Sequence, residues 1–96
     1  MQIGVLKEIK DRENRVALTP AGAGQLVAAG HRVSVQADAG VGSGFPDEQY
    51  LEAGSSLVSA EDAWASELVL KIKEPLPQEY PFLTSNMLFT YLHLSG

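Results

Sequence analysis

Two short apolar runs, each ending in ionisable residues, constrain the fold of this chain most. Leu68-Val69-Leu70 leads into Lys71-Ile72-Lys73-Glu74 and is stopped by Pro75. Residues 87–92, MLFTYL, form a second run that ends at His93. Apolar runs of this length between breakers read as strands buried on both faces, as in a parallel sheet. Each then carries an ionisable side chain to its C-terminal end. In open parallel α/β sheets that edge is where ligands bind. A lysine and a histidine delivered there are suited to gripping an anion and moving a proton.

The rest of the chain supplies the alternation such a sheet needs. Residues 2–6 (QIGVL) read as a first strand, and residues 7–14 (KEIKDREN) as a polar loop leaving its C-terminal end. Thr19 suits an N-cap and Pro20 the first helical position; residues 21–29 carry apolar side chains at helical spacing, and Gly30 suits the closing position. Gly22 and Gly24 weaken that helix and suggest close packing on the sheet. Val33-Ser34-Val35-Gln36 alternates as a strand. Residues 37–45 form a glycine-rich loop, 46–53 a helix ended by Gly54, and 55–58 a short strand. Ser59 can cap a helix over 60–65, with Glu61 and Asp62 near the positive end of its dipole. A strand over 67–73, a rigid Pro75-Leu76-Pro77 turn, one helical turn over 78–83 and a strand over 87–93 complete the chain. The order predicts a doubly wound, mainly parallel α/β sheet of Rossmann or flavodoxin kind with right-handed crossovers, in one domain spanning 1–96. A parallel sheet usually runs on into a helix after such a strand, so the chain reads as the first part of a longer protein.

Charge and composition remove several classes of function. Asp and Glu outnumber Lys and Arg by 12 to 7, and no basic cluster offers a nucleic-acid footprint. There is no cysteine for disulfide or thiolate chemistry. No apolar run approaches the ~20 residues that span a bilayer, and charges directly after a very short apolar start rule out a signal peptide. The default is a soluble, cytoplasmic protein with no membrane and no nucleic-acid partner.

Individual motifs carry less weight than their position. Gly40-Val41-Gly42-Ser43-Gly44 lacks the G-x-G-x-x-G spacing of a dinucleotide fingerprint, and Phe45-Pro46 separates it from the next helix, so it reads as a strand-to-helix loop. Arg15, after the first polar loop, has the guanidinium geometry for a bidentate grip on a carboxylate, against the ordinary reading of a surface arginine. Lys71 and Lys73 share a strand end, where only one need face a site; the ordinary reading is a solvated strand terminus, with Glu74 as a salt-bridge partner. His93 ends a strand that places Met87, Phe89 and Tyr91 on its own side, and its near-neutral titration suits an acid or base. His31 reads as structural, and two histidines without carboxylates in ligand spacing make a poor metal site.

Together these stretches resemble a known family. IGVLKEIKDRENRVALTPAG at the start, GHRVSVQADAGVGSGFPDEQY, EAGSSLV, the run from Trp64 through LVLKIKEPLPQEY, and LFTYLHL resemble the alanine dehydrogenase and pyridine-nucleotide transhydrogenase α-subunit family across the whole chain. The second lysine of K-x-K-E-P and the histidine of the LHL motif, Lys73 and His93 here, resemble the alanine dehydrogenase branch, whereas transhydrogenase subunits lack them. The resemblance implies the N-terminal portion of the substrate domain of a two-domain dehydrogenase. It implies NAD-dependent, reversible oxidative deamination of L-alanine to pyruvate and ammonia, with NAD bound by a domain outside this chain. Arg15 and Lys73 would hold the carboxylate and carbonyl side of the substrate, Tyr91 would line the pocket, and His93 would be the acid/base. A homo-oligomer, commonly a hexamer, is also implied. Leu6 stands where family members usually have proline, and Asp38 where glycine is common. Alone, the 96 residues are expected to be inactive, having no convincing nucleotide site. The rival readings are a transhydrogenase- or opine/lysine-dehydrogenase-like relative, and a stand-alone, non-catalytic domain for carboxylate binding or assembly.

Overall fold

A computed structural model of the chain describes residues 1–9, 15–72, 77–82 and 87–90, with the backbone alone at 87, 89 and 90. Five strands form one parallel sheet: β1 (Gln2–Val5), β2 (Arg32–Gln36), β3 (Ser56–Val58), β4 (Leu68–Lys71) and β5 (Met87–Thr90). Their spatial order is β3-β2-β1-β4-β5, every neighbouring pair parallel. The doubly wound α/β prediction therefore holds, and the order is that of the Rossmann half rather than the flavodoxin one.

Among the described residues three α-helices provide the crossovers: α1 (Pro20–Ala28), α2 (Asp47–Glu52) and α3 (Ala60–Trp64). Strand alternation sorts the core into two layers. Ile3, Val5, Val33, Val35 and Leu70 pack on Ala23 of α1 and Tyr50 of α2. Val69, from the opposite face of β4, packs with Leu6 on Ala63 and Trp64 of α3. A 3-10 segment, Pro77–Phe82, closes on this second layer, with the Phe82 ring stacked on Trp64 at 6.2 Å between centroids.

Local chemistry sets the boundaries. The Thr19 hydroxyl accepts from Gly22 N–H and the Ser59 hydroxyl from Asp62 N–H, as their capping roles require. Beyond α1, Gly30 adopts φ 97° while its N–H and that of His31 reach back to the Val27 and Leu26 carbonyls and close the last turn of the helix. The strand expected from 55 begins at Ser56, because Ser55 N–H is spent on the Tyr50 carbonyl at the end of α2. The strand expected from 67 begins at Leu68; Glu67 instead accepts the Gln2 N–H through its side chain.

The glycines of α1 do not pack on the sheet as expected. A Cβ at Gly22 would meet Leu18, and one at Gly24 would meet Ala53 beyond α2. The close approach to the sheet comes at Gly4, where a Cβ would collide with the Ala63 carbonyl oxygen of α3. Among the described residues no helix is long and apolar enough to cross a membrane.

Candidate active site at the switch point

In this strand order the chain runs outward from β1 to β3 on one side, then returns to place β4 on the other side of β1. In open α/β sheets of this order, ligands bind in a crevice outside the C-terminal ends of the strands where the order reverses, here β1 and β4. That crevice is where the sequence expects its site residues. Arg15 belongs to the connection from β1 to α1 on this edge, is exposed, and lies next to Val16, Ala17 and Leu18, which pack on the core. Lys73, Tyr91 and His93 lie outside the described residues.

Lys71 is described, and it contradicts the solvated-terminus reading. Its side chain is 1% exposed. The ammonium lies 3.0 Å from Glu8 Oε1 and 3.3 Å from Glu79 Oε2. Glu8 uses its other oxygen, Oε2, to accept the Ile72 N–H at 3.0 Å. The partners described are thus Glu8 and Glu79 rather than Glu74, which lies outside the described residues. A buried ammonium is costly unless paired and hydrogen-bonded, and the two carboxylates meet that requirement.

Sequence reading missed Glu8 and Glu79 by placing them in a polar loop and a helical turn. The missed signal is the flanking pattern of Lys71. A lysine between Leu70 and Ile72 at the end of a buried strand must find an anion, and the chain leaving the adjacent strand carries Glu8 three residues past Val5. The same edge is tied elsewhere by Lys7 N–H, which donates to the Gln36 side-chain oxygen at 2.9 Å and joins the ends of β1 and β2.

The glycine-rich loop offers no dinucleotide cradle. It forms a single 3-10 turn at Val41–Ser43, closed by Gly44 at φ 85°. Any side chain at Gly40 would strike the Tyr50 ring, so the space beside that glycine is filled from within. Nor is α2, beyond Pro46, presented to a pyrophosphate: the Asp47 carboxylate at its start accepts the Asp38 N–H at 2.9 Å. The glycine-rich loop and the start of α2 thus form no pyrophosphate cradle. His31 lies at the opposite edge of the sheet, lining an open cavity of about 580 Å³ with Gln2 and Arg32 at the strand starts.

The parallel, doubly wound α/β sheet reverses its strand order between β1 and β4, and the C-terminal edge at such a reversal is where folds of this class bind their ligands. Residues 4–96 match the family model described as alanine dehydrogenase/PNT, N-terminal domain. The chain belongs to that family. It is 54% identical over 98 aligned positions to the alanine dehydrogenase of Bacillus subtilis strain 168, covering 100% of this chain and 26% of the relative. Against the alanine dehydrogenase of Geobacillus stearothermophilus identity is 52%, covering 100% and 27%. A solved L-alanine dehydrogenase superposes with TM-score 0.90 at 50% identity, covering 99% of this chain and 27% of that one. A transhydrogenase from Sinorhizobium meliloti superposes with TM-score 0.88 at 31% identity, covering 96% and 28%. The chain spans about a quarter of the length of the curated relatives it matches.

Proposed function

We propose that residues 1–96 form the N-terminal part of the substrate domain of an NAD-dependent alanine dehydrogenase, which interconverts L-alanine with pyruvate and ammonia. The observation that carries this reading is the identity gap: about half the residues are shared with a solved L-alanine dehydrogenase, against 31% with a transhydrogenase of nearly equal structural similarity. The presence of both Lys73 and His93 in the sequence supports the same branch.

In this reading Arg15 grips the substrate carboxylate with its guanidinium fork, and Lys73 faces the carbonyl side. Tyr91 lines the pocket. His93 gives a proton to the carbonyl oxygen, or takes one from the carbinolamine hydroxyl when the reaction runs toward pyruvate. The redox chemistry comes from NAD held by parts of the enzyme beyond these 96 residues. The complete protein works in the cytoplasm as a homo-oligomer, with no nucleic-acid or membrane partner.

The test is NADH formation by the complete enzyme with L-alanine against other amino acids, in wild type and His93→Ala. L-Alanine is expected to be the preferred substrate. The variant should keep its melting temperature and NAD binding while turnover falls by about 10²-fold or more. Near-wild-type turnover in the variant removes His93 from the reaction, and preference for another amino acid redirects the substrate assignment.

A further inference from the structure

Resting on that functional reading, we infer that Glu8 and Lys71 are positioning residues for substrate: their buried ion pair locks the ends of β1 and β4 together and so sets the spacing between the segments that carry Arg15 and Lys73. The β1–β4 ladder reaches Val5 opposite Leu70, and beyond it the backbone offers a long contact, Leu6 N–H to the Leu70 carbonyl at 3.4 Å. From there the Glu8 side chain takes over. One carboxylate oxygen meets the Lys71 ammonium and the other meets the Ile72 N–H, each at 3.0 Å. A single side chain from the β1 connection thus holds two consecutive residues of β4's end by both side chain and backbone. Ile72 immediately precedes Lys73, and Glu8 lies in the connection that leads to Arg15.

Glu79 adds a third anchor, drawing Pro77–Phe82 onto the same ammonium at 3.3 Å. Lys71 is committed to these two carboxylates and buried with them, so its own ammonium is not open to a substrate anion. Stability alone does not call for this arrangement. Well-packed apolar residues commonly hold such a position as well as a buried ion pair, whereas a carboxylate bridging an ammonium and a backbone N–H imposes direction and distance. Small errors in substrate placement are expensive in rate, up to about 10²-fold for a displacement of about 1 Å.

The experiment uses the complete enzyme and two variants. One is the neutral, nearly isosteric triple variant Glu8→Gln/Lys71→Met/Glu79→Gln, which retains an acceptor for the Ile72 N–H. The other is Glu8→Asp, which keeps the charge but is one methylene too short to meet both partners. Pyruvate and NADH saturation are measured separately, together with melting temperature. Positioning predicts a rise of about tenfold or more in the KM for pyruvate or an equal fall in kcat/KM, with the KM for NADH unchanged and, for the triple variant, a melting temperature close to wild type. A folded variant whose kcat/KM for pyruvate stays within about twofold of wild type overturns the inference. If the triple variant does not fold, Glu8→Asp decides by the same criterion. A wild-type enzyme that does not turn over pyruvate overturns the functional reading itself.

Discussion

The Tyr50 hydroxyl donates to the Leu18 carbonyl oxygen across 2.7 Å, joining α2 to the segment that runs from Arg15 into α1. Tyr50 is fully buried, and burial, reinforced by the Asp47 charge, pushes its phenol up to about 12. A raised folded-state pKa favours the neutral phenol. Its contribution is complete below the ordinary value of 10.0 and is lost as pH rises toward about 12. Tyr50→Phe should cost about 1–3 kcal/mol, because it removes the bond and leaves the Leu18 carbonyl without this donor. Urea unfolding measured across the alkaline window should show wild type losing stability more steeply than the variant. Parallel losses would separate Tyr50 from the alkaline transition.

Gly4→Ala should destabilise by about 2 kcal/mol or more. The added methyl would meet the Ala63 carbonyl oxygen, and a backbone atom in a packed layer cannot swing aside as a side-chain tip can. A lowered urea midpoint with an unchanged m-value is the expected signature. An unchanged midpoint would mean that α3 can lift from β1 at no cost.

These two positions mark the limits of what the sequence reveals. Helix caps and strand alternation are local, and Thr19, Ser59, Gly30 and the apolar strands identify themselves through composition and spacing. The alternation of strands with helices implies a parallel sheet, while the choice between the Rossmann and flavodoxin strand orders came only with the fold. Partners brought together by topology are different. Glu8 and Lys71 are separated by 63 positions and meet because β1 and β4 are neighbours, which no local pattern records. Gly4 likewise resembles any strand glycine until α3 is laid over it. At the candidate site, motif resemblance pointed to Arg15, Lys73, Tyr91 and His93, whereas the buried charges that structure the crevice required the sheet.

Lys71→Met alone should cost about 3–5 kcal/mol, because it leaves Glu8 and Glu79 buried without the ammonium they share. Restoring neutrality with Glu8→Gln and Glu79→Gln should recover most of that loss. Thermal unfolding of the single and triple variants measures the difference. Equal melting temperatures would show that the carboxylates find other compensation when Lys71 is gone.

Asp38 is the non-glycine residue with positive φ among those described, at 68°. An L side chain in the left-handed region costs roughly 1–2 kcal/mol, less for aspartate than for most residues, and glycine avoids that cost but loses more chain entropy on folding, about 0.5–1 kcal/mol. The two effects nearly offset, leaving a small gain for Asp38→Gly. The turn itself should survive the change, because its anchor is the Asp38 N–H held by the Asp47 carboxylate, and glycine keeps that donor. Removing a negative charge from beside Asp47 adds to the gain. We expect Asp38→Gly to raise stability by about 0.5 kcal/mol, read as a higher urea midpoint at constant m-value. A lower midpoint would show that the aspartate side chain contributes more to this turn than its backbone strain costs.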